Sequence, residues 1–282
     1  MQKRSNNNAE GIDVSHHNGI VDWAKVAADG ISFAFLKASE GKSFRDNMFA
    51  GHLKEARAVG LLVGAYHFVG ARSEADAKAE AANFAGAISA AGGVQLLDLP
   101  PVMDYENNPG NLKQTQINAV AMAFLGELER LTGRRPMVYT GNAFGFNFGP
   151  LLASYPLWIA RYSATIPPDN NQAWREWTIW QYSDGSAGGT RKNGTRKVSG
   201  VSGNVDLNEY TGTLADLQLA FGRKPASTAA EIVPKVVRME GNVVITTGEI
   251  VDGRLVAPIA EVLKAAGVPF AYDNETKKLY LL

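Results

Sequence analysis

The stretch "PPVMDYENNPG", Pro100 to Gly110, decides how the chain is read. An apolar run, Pro101 to Met103, leads into two carboxylates two residues apart, and Asn107-Asn108-Pro109-Gly110 then stops it. Residues i and i+2 of a strand share one face, about 7 Å apart along the chain. Asp104 and Glu106 are therefore expected on one side, and Tyr105 on the other, against a helix layer. Two inward carboxylates at this spacing repel, and burial raises the pKa of at least one. An acid that keeps its proton beside one that loses it is the pair that glycosidic bond cleavage needs. A lone acid before such a turn would read better as a solvated strand end.

The context of the stretch sets the fold. Short apolar, β-branched and aromatic runs recur on both sides: "GIDVSHHNG" from Gly11, "ISFAFLKASEG" from Ile31, "LLVGAYHFVG" from Leu61, "RPMVYTG" from Arg135, "PLWIARYS" from Pro156, "WTIWQYSDG" from Trp177, and the weaker "GNVDLNEY" from Gly203. Helix-like segments separate the earlier runs: Asp22 to Ala28, Asp46 to Val59 before Gly60, Ser73 to Ala91 with Ser73 as cap, and Thr115 to Leu131. Near-continuous apolar runs suit parallel strands buried on both faces. About eight strand-helix units in about 200 residues predict an α/β fold, a TIM-like β/α barrel that is irregular in its Gly- and Pro-rich last connections. An open doubly wound sheet is the rival, but "DVSHHNG" carries no glycine-rich phosphate loop.

Composition shifts after Tyr210. The predicted organisation is a polar N-terminal tail (1–10), the barrel (11–211), a linker (212–234) and a small α+β domain (235–282) with short strands, a helix over Ile259 to Ala266, and a hairpin turning at Asp273-Asn274-Glu275.

Composition narrows the chemistry. The 282 residues hold 28 basic and 28 acidic side chains, so net charge gives no reason to expect nucleic acid or an anionic membrane as partner. There is no cysteine, which removes disulfides, thiolate nucleophiles and Cys-metal sites. The start "MQKRSNNNAE" has no apolar segment of a secretory signal, so synthesis in the cytoplasm without a signal peptide is expected. No run is long enough for a membrane span. No cofactor is called for, and the oligomeric state is not legible.

In a barrel of this kind the C-terminal strand ends carry the site. Acids approach such ends four times: Asp13, Glu40, the pair Asp104 and Glu106, and Asp206. Glu40 could equally pair with Lys37 or Arg45. Tyr66, Tyr139, Trp158, Tyr162, Trp180 and Tyr182 lie in or near the ends, where aromatic faces could pack on sugar rings, although each alone reads better as core. His16 and His17 are neighbours and would diverge on a strand, no HExxH exists, and His52 is expected on a helix surface. Ser15 and Ser39 lie near strand ends, but no GxSxG elbow accompanies them.

Taken in order, "GIDVSHHNG", "FAFLKASEG", "GAYHF", "PVMDYE", "MVYTG", "LWIARYS", "WQYSDG" and "VDLNEY" closely resemble glycoside hydrolase family 25, the Chalaropsis-type muramidases (lysozymes) frequent among phage endolysins. The resemblance runs from Gly11 to Tyr210. It implies an irregular β/α barrel that cleaves the β-1,4 bond between N-acetylmuramic acid and N-acetylglucosamine in cell-wall peptidoglycan. It implies that Glu106 is the general acid, Asp104 its partner, and Asp13 and Asp206 the other acids of the site. Tyr66, Tyr139 and Trp180 would contact substrate, with Lys37, Glu40 and Tyr182 beside them. Glu106 would protonate the leaving oxygen. The substrate's own N-acetyl group could then act as nucleophile, with retention, or a carboxylate could activate water, with inversion; retention is the preferred expectation. A non-catalytic glycan-binding barrel and a metal-dependent glycan deacetylase are the alternatives. The C-terminal segment "NVVITTGEIVDGRLVAPIAEVLKAAG" more weakly resembles the stalk-like N-terminal domain of copper amine oxidases, which implies a wall-binding or spacing role and no copper ligand.

Overall fold

The structure is a computed structural model that describes residues 1–163, 165–186, 194, 196–221 and six short strands between 235 and 281. It divides into two units, Met1–Arg223 and Lys224–Leu282.

In the first unit, eight strands close a barrel: β1 (Glu10–Val14), β2 (Phe33–Glu40), β4 (Leu62–Phe68), β5 (Val102–Asp104), β6 (Met137–Gly141), β7 (Leu157–Ala160), β8 (Ile179–Ser183) and β9 (Asp206–Tyr210). The two-residue β3 (Phe44–Arg45) is added at the edge of β2. Helices α1 (Trp23–Ala28), α2 (Phe49–Ala58), α3 (Glu74–Ala90) and α4 (Gln114–Thr132) fill the early connections. Ser73 caps α3 by accepting the Asp76 N–H at 3.1 Å, and Gly133 ends α4 with φ +66°, a left-handed turn that suits glycine. Only short 3-10 turns and loops connect β6 to β7 and β7 to β8 among the described residues. The barrel is irregular there, as its Gly- and Pro-rich sequence predicts.

One direction differs from expectation. The seven barrel strands β1, β2 and β4 to β8 run parallel to one another, the edge strand β3 is antiparallel to β2, and β9 is antiparallel to both β8 and β1. Parallel pairing needs a crossover that carries the chain back to its starting end. Without one, β9 enters the barrel at the end where β8 finishes. Its first residue, Asp206, therefore lies at the mouth, opposite Asp13.

The interior is packed by shape rather than left open. Along β1, β2 and β4, Gly11 and Gly64 stand where Phe33 and Phe35 fill the bore: a Cβ on Gly64 would lie 2.3 Å from the Phe35 ring, and one on Gly11 would lie 2.3 Å from Phe33. Trp158 stacks on Phe35 at 4.4 Å and meets the Tyr139 ring at 4.5 Å, forming the floor beneath the mouth. The second core lies outside the strands, against the helices, and includes Tyr105, packed between Phe144 and Phe148. That is the side on which alternation places it.

Of residues 1–10, predicted as a polar tail, Glu10 begins β1 and the residues before it dock on the barrel. The Gln2 side chain brackets the Trp177 backbone through bonds of 2.6 and 3.1 Å, Arg4 pairs with Glu209 at 2.6 Å, and Ala9 is buried. Helix α5 (Leu214–Phe221) follows β9 and buries Leu217.

Among the described residues, the second unit holds three antiparallel strand pairs: Lys235–Met239 with Asn242–Thr246, Glu249–Val251 with Arg254–Val256, and Phe270–Asp273 with Lys278–Leu281. The helix expected over 259–266, the linker from 222 to 234 and the turn residues 274–275 lie outside the described residues.

If Gly64 is the space that Phe35 occupies, Gly64→Ala should cost about 1–3 kcal/mol by overpacking. Urea unfolding should show the loss, and adding Phe35→Leu should restore part of it. An unchanged midpoint in Gly64→Ala would contradict this account of the bore.

Candidate active site

Inward residues at the strand ends build a cavity of about 230 Å³ at the mouth, lined by Asp13, Asp104, Glu106 and Asp206 with Lys37, Tyr66, Phe68, Tyr139, Trp158, Tyr162 and Gln181. Asp13 sits on β1. Its Oδ2 accepts the Gln181 Nε2 amide at 2.8 Å and the Asn208 Nδ2 amide at 2.8 Å. The other ends of those amides are also held. Gln181 Oε1 accepts the Tyr139 hydroxyl at 2.9 Å and the Tyr162 hydroxyl at 3.3 Å, and Asn208 Oδ1 accepts the Trp158 Nε1–H at 2.8 Å. Both amides thus present N–H groups to Asp13, which suits an ionised, acceptor-only carboxylate.

Asp206 faces Asp13 across the antiparallel seam. Burial, then the charge of Asp13, push its pKa up to about 9. Burial raises Asp13 as well, and the two amides and the Asp206 hydrogen bond offset only part of that rise. The pair therefore shares one proton at neutral pH: Asp206 holds it and donates to Asp13.

Asp104 closes β5 and is buried, with Oδ1 unpartnered. Burial, then Glu106, then Asp13 raise its pKa well above the carboxylate range; Lys37 opposes them. Glu106 lies beyond the end of β5, yet the extended path continues. Tyr105 N–H bonds Tyr139 O at 3.0 Å, and Thr140 Oγ1 bonds Tyr105 O at 2.9 Å. Glu106 is the exposed acid of the set, at the open side of the cavity. Partial burial, then Asp13, raise its pKa, while the Tyr139 hydroxyl works against the rise.

The remaining sequence candidates divide. Lys37, Tyr66 and Tyr139 line the cavity. Glu40 does not; it is bound to Lys37 Nζ at 2.7 Å. Trp180 and Tyr182 are corrected, because they point away from the bore. On β8 the inward positions are Ile179 and Gln181, so their neighbours face the outer core. Trp180 donates to Arg161 O at 2.7 Å. Tyr182 donates to Glu10 Oε1 at 2.6 Å and lies under the Arg4 guanidinium at 3.7 Å. Gln181 and Asn208 were missed. Their signal was present: each is an amide in a strand otherwise built of large side chains, at an inward position two residues from a core or acidic residue.

His52 is buried rather than on the surface, and its Nδ1 accepts the Trp23 Nε1–H at 3.3 Å. His16 pairs with Asp46 at 2.7 Å. Ser39, His67 and Glu80 form a hydrogen-bonded chain of 2.7 and 3.3 Å that mimics a hydrolase triad. A bulge at Lys37/Ser39 turns Ser39 outward, behind the barrel wall. All three groups are buried, and the chain joins β2, β4 and α3 where no substrate reaches.

Paired, pKa-raised carboxylates at the mouth of a β/α barrel define a hydrolase of the acid-base type. Residues 12–189 match glycosyl hydrolases family 25. The chain is 32% identical over 217 residues to Lysozyme M1 of Streptomyces globisporus, covering 74% of this chain and 69% of that protein. It is 30% identical over 198 residues to the N,O-diacetylmuramidase of Chalaropsis sp, covering 65% and 92%. The crystal structure of the bacterial lysozyme from Streptomyces coelicolor superposes with a TM-score of 0.66 at 31% identity, covering 77% of this chain and 99% of that one. The chain belongs to glycosyl hydrolases family 25 and is a glycoside hydrolase.

The shared proton gives a pH-dependent stability. Asp206 binds its proton more tightly folded than unfolded, so its contribution is present below about 4 and is lost as pH rises toward about 9. Asp206→Asn keeps a donor for Asp13 without the titration. Its melting temperature relative to wild type should be unchanged near the acid end and rise by a few degrees toward the alkaline end. A difference that is flat with pH would contradict the shared proton.

Proposed function

We propose that the chain is an N-acetylmuramidase that hydrolyses the β-1,4 bond between N-acetylmuramic acid and N-acetylglucosamine in peptidoglycan. The observation that carries this is the convergence of four carboxyl groups on one cavity, with Glu106 on its open side and Asp104 walled in behind it. The names of the relatives, a lysozyme and an N,O-diacetylmuramidase, support the same substrate. The sequence resemblance to muramidases frequent in phage endolysins extends the reading to a lytic role on the cell wall.

In this reading Glu106 is the general acid. Burial and the charge of Asp13 raise its pKa and so favour the protonated form, and its position lets it reach a glycosidic oxygen. Asp104 receives the N–H of the substrate's N-acetyl group on its unpartnered Oδ1. That bond favours the charged carboxylate, so the Asp104 proton passes to solvent as substrate seats. The acetamido oxygen then attacks the anomeric carbon while the glycosidic C–O bond breaks and its oxygen takes the Glu106 proton. Water, deprotonated by Glu106, opens the cyclic intermediate. The route retains configuration. Asp13, charged and held by two amides, faces the positive charge that develops at the anomeric carbon. The Asp206 proton keeps Asp13 from being repelled out of this position.

Glu106→Gln should lower kcat by at least about 100-fold with the melting temperature unchanged. Reducing ends released from purified cell walls give the rate. Mass spectrometry of fragments formed in heavy-oxygen water should place the new oxygen on N-acetylmuramic acid. Undiminished release by Glu106→Gln would refute the acid assignment. Wall binding without release by wild type would favour a non-catalytic barrel, and acetate release instead would favour a deacetylase. As a general acid with a raised pKa, Glu106 should sustain kcat at acidic pH and lose it as pH rises, with the alkaline limb above the ordinary glutamate range.

A further inference from the structure

A second groove, of about 560 Å³, adjoins the acid cavity and shares its Phe68 wall. Its sides come from two loops, Gly70 and Arg72 after β4, and Asn107 to Pro109 after β5. Glu106 immediately precedes Asn107, so a chain bound across the acid would enter this groove. The β5 loop is held by its own bonds. Asn108 clamps Leu112 from both sides, Nδ2 to O at 2.9 Å and N–H to Oδ1 at 2.8 Å. Gly110 lets the loop close on the Arg72 stem, since a Cβ there would lie 3.2 Å from Arg72 Cβ. Two polar groups on the walls keep unspent bonding capacity. Asn107 Oδ1 has no partner, and the Arg72 guanidinium makes no ion pair among the described residues. Asp76, in the first turn of α3, accepts the Arg72 backbone N–H at 3.3 Å and gives its charge to Lys42 at 2.9 Å.

An exposed arginine with no ion pair among the described residues, on one wall of a groove whose opposite loop starts one residue after the acid, is a carboxylate receptor. We infer that this groove binds the carboxylate-bearing substituent of N-acetylmuramic acid, with Arg72 as the specificity residue that grips the carboxylate. The inference rests on the muramidase reading and deepens it. The carboxylate has two sources, the peptide stem or the lactyl group left when the stem is removed. Both sit on the same ring and offer the same planar, bidentate partner.

The test compares wild type, Arg72→Ala and Arg72→Lys as full chains on three soluble glycan strands: stems intact, stems removed to leave the lactyl carboxylate, and that carboxylate converted to a neutral amide. Arg72→Ala should raise KM about five- to tenfold on a carboxylate-bearing strand, leave kcat within about twofold, and change nothing on the amide strand. Arg72→Lys should recover part of the loss. A loss confined to intact strands assigns the stem; a loss confined to stem-free strands assigns the lactyl group; a loss on both shows that Arg72 takes either carboxylate. An unchanged KM on both charged strands, or the same loss on the amide strand, overturns the inference while muramidase activity stands. Wild type leaving all three strands uncut overturns the muramidase reading, and this inference with it.

Discussion

The site depends on a single proton between Asp13 and Asp206. They face each other where the first strand meets the last, so the contact that closes the barrel also brings two carboxyls together in a poorly solvated place. Both cannot ionise there without a cost of several kcal/mol. A held proton on Asp206 removes that cost, and the amides of Gln181 and Asn208 then stabilise the one charge left on Asp13. Through Gln181 the same charge orients Tyr139 and Tyr162, and through Asn208 it orients Trp158. The cavity wall is thereby preorganised around an anion before substrate arrives.

The back of the wall uses similar economy. Ser39, His67 and Glu80 satisfy one another between β2, β4 and α3, and Glu80 also accepts the Gly70 N–H at 3.0 Å. Gly70 begins the loop that carries Arg72. The buried polar chain thus ties the groove's rim to the barrel rather than supplying chemistry, and its resemblance to a triad is one of composition alone.

Much of this was legible. Continuous apolar runs gave away buried parallel strands, and Asp104-x-Glu106 at the end of one of them gave away the cavity. What was not legible has physical causes. The direction of β9 depends on what its connection does, and "GNVDLNEY" is too polar to carry a direction by itself. Trp180 and Tyr182 drew attention because aromatics suit sugars, yet alternation on β8 awards the inward place to Gln181. The bulge in β2 reverses Ser39 relative to Lys37, and no pattern in "FLKASEG" announces it. His52 is buried where its Nδ1 accepts a hydrogen bond from the Trp23 indole N–H, a partner 29 residues away that the sequence pattern does not announce.

The most direct measurement is a carbon-13 titration of the aspartate carboxyls in the folded enzyme, with Asp206→Asn to assign the signal. The account predicts that Asp206 stays protonated at neutral pH and titrates near 9, with Asp13 already ionised beside it. Asp206 and Asp13 both titrating in the ordinary range near 4 would contradict it.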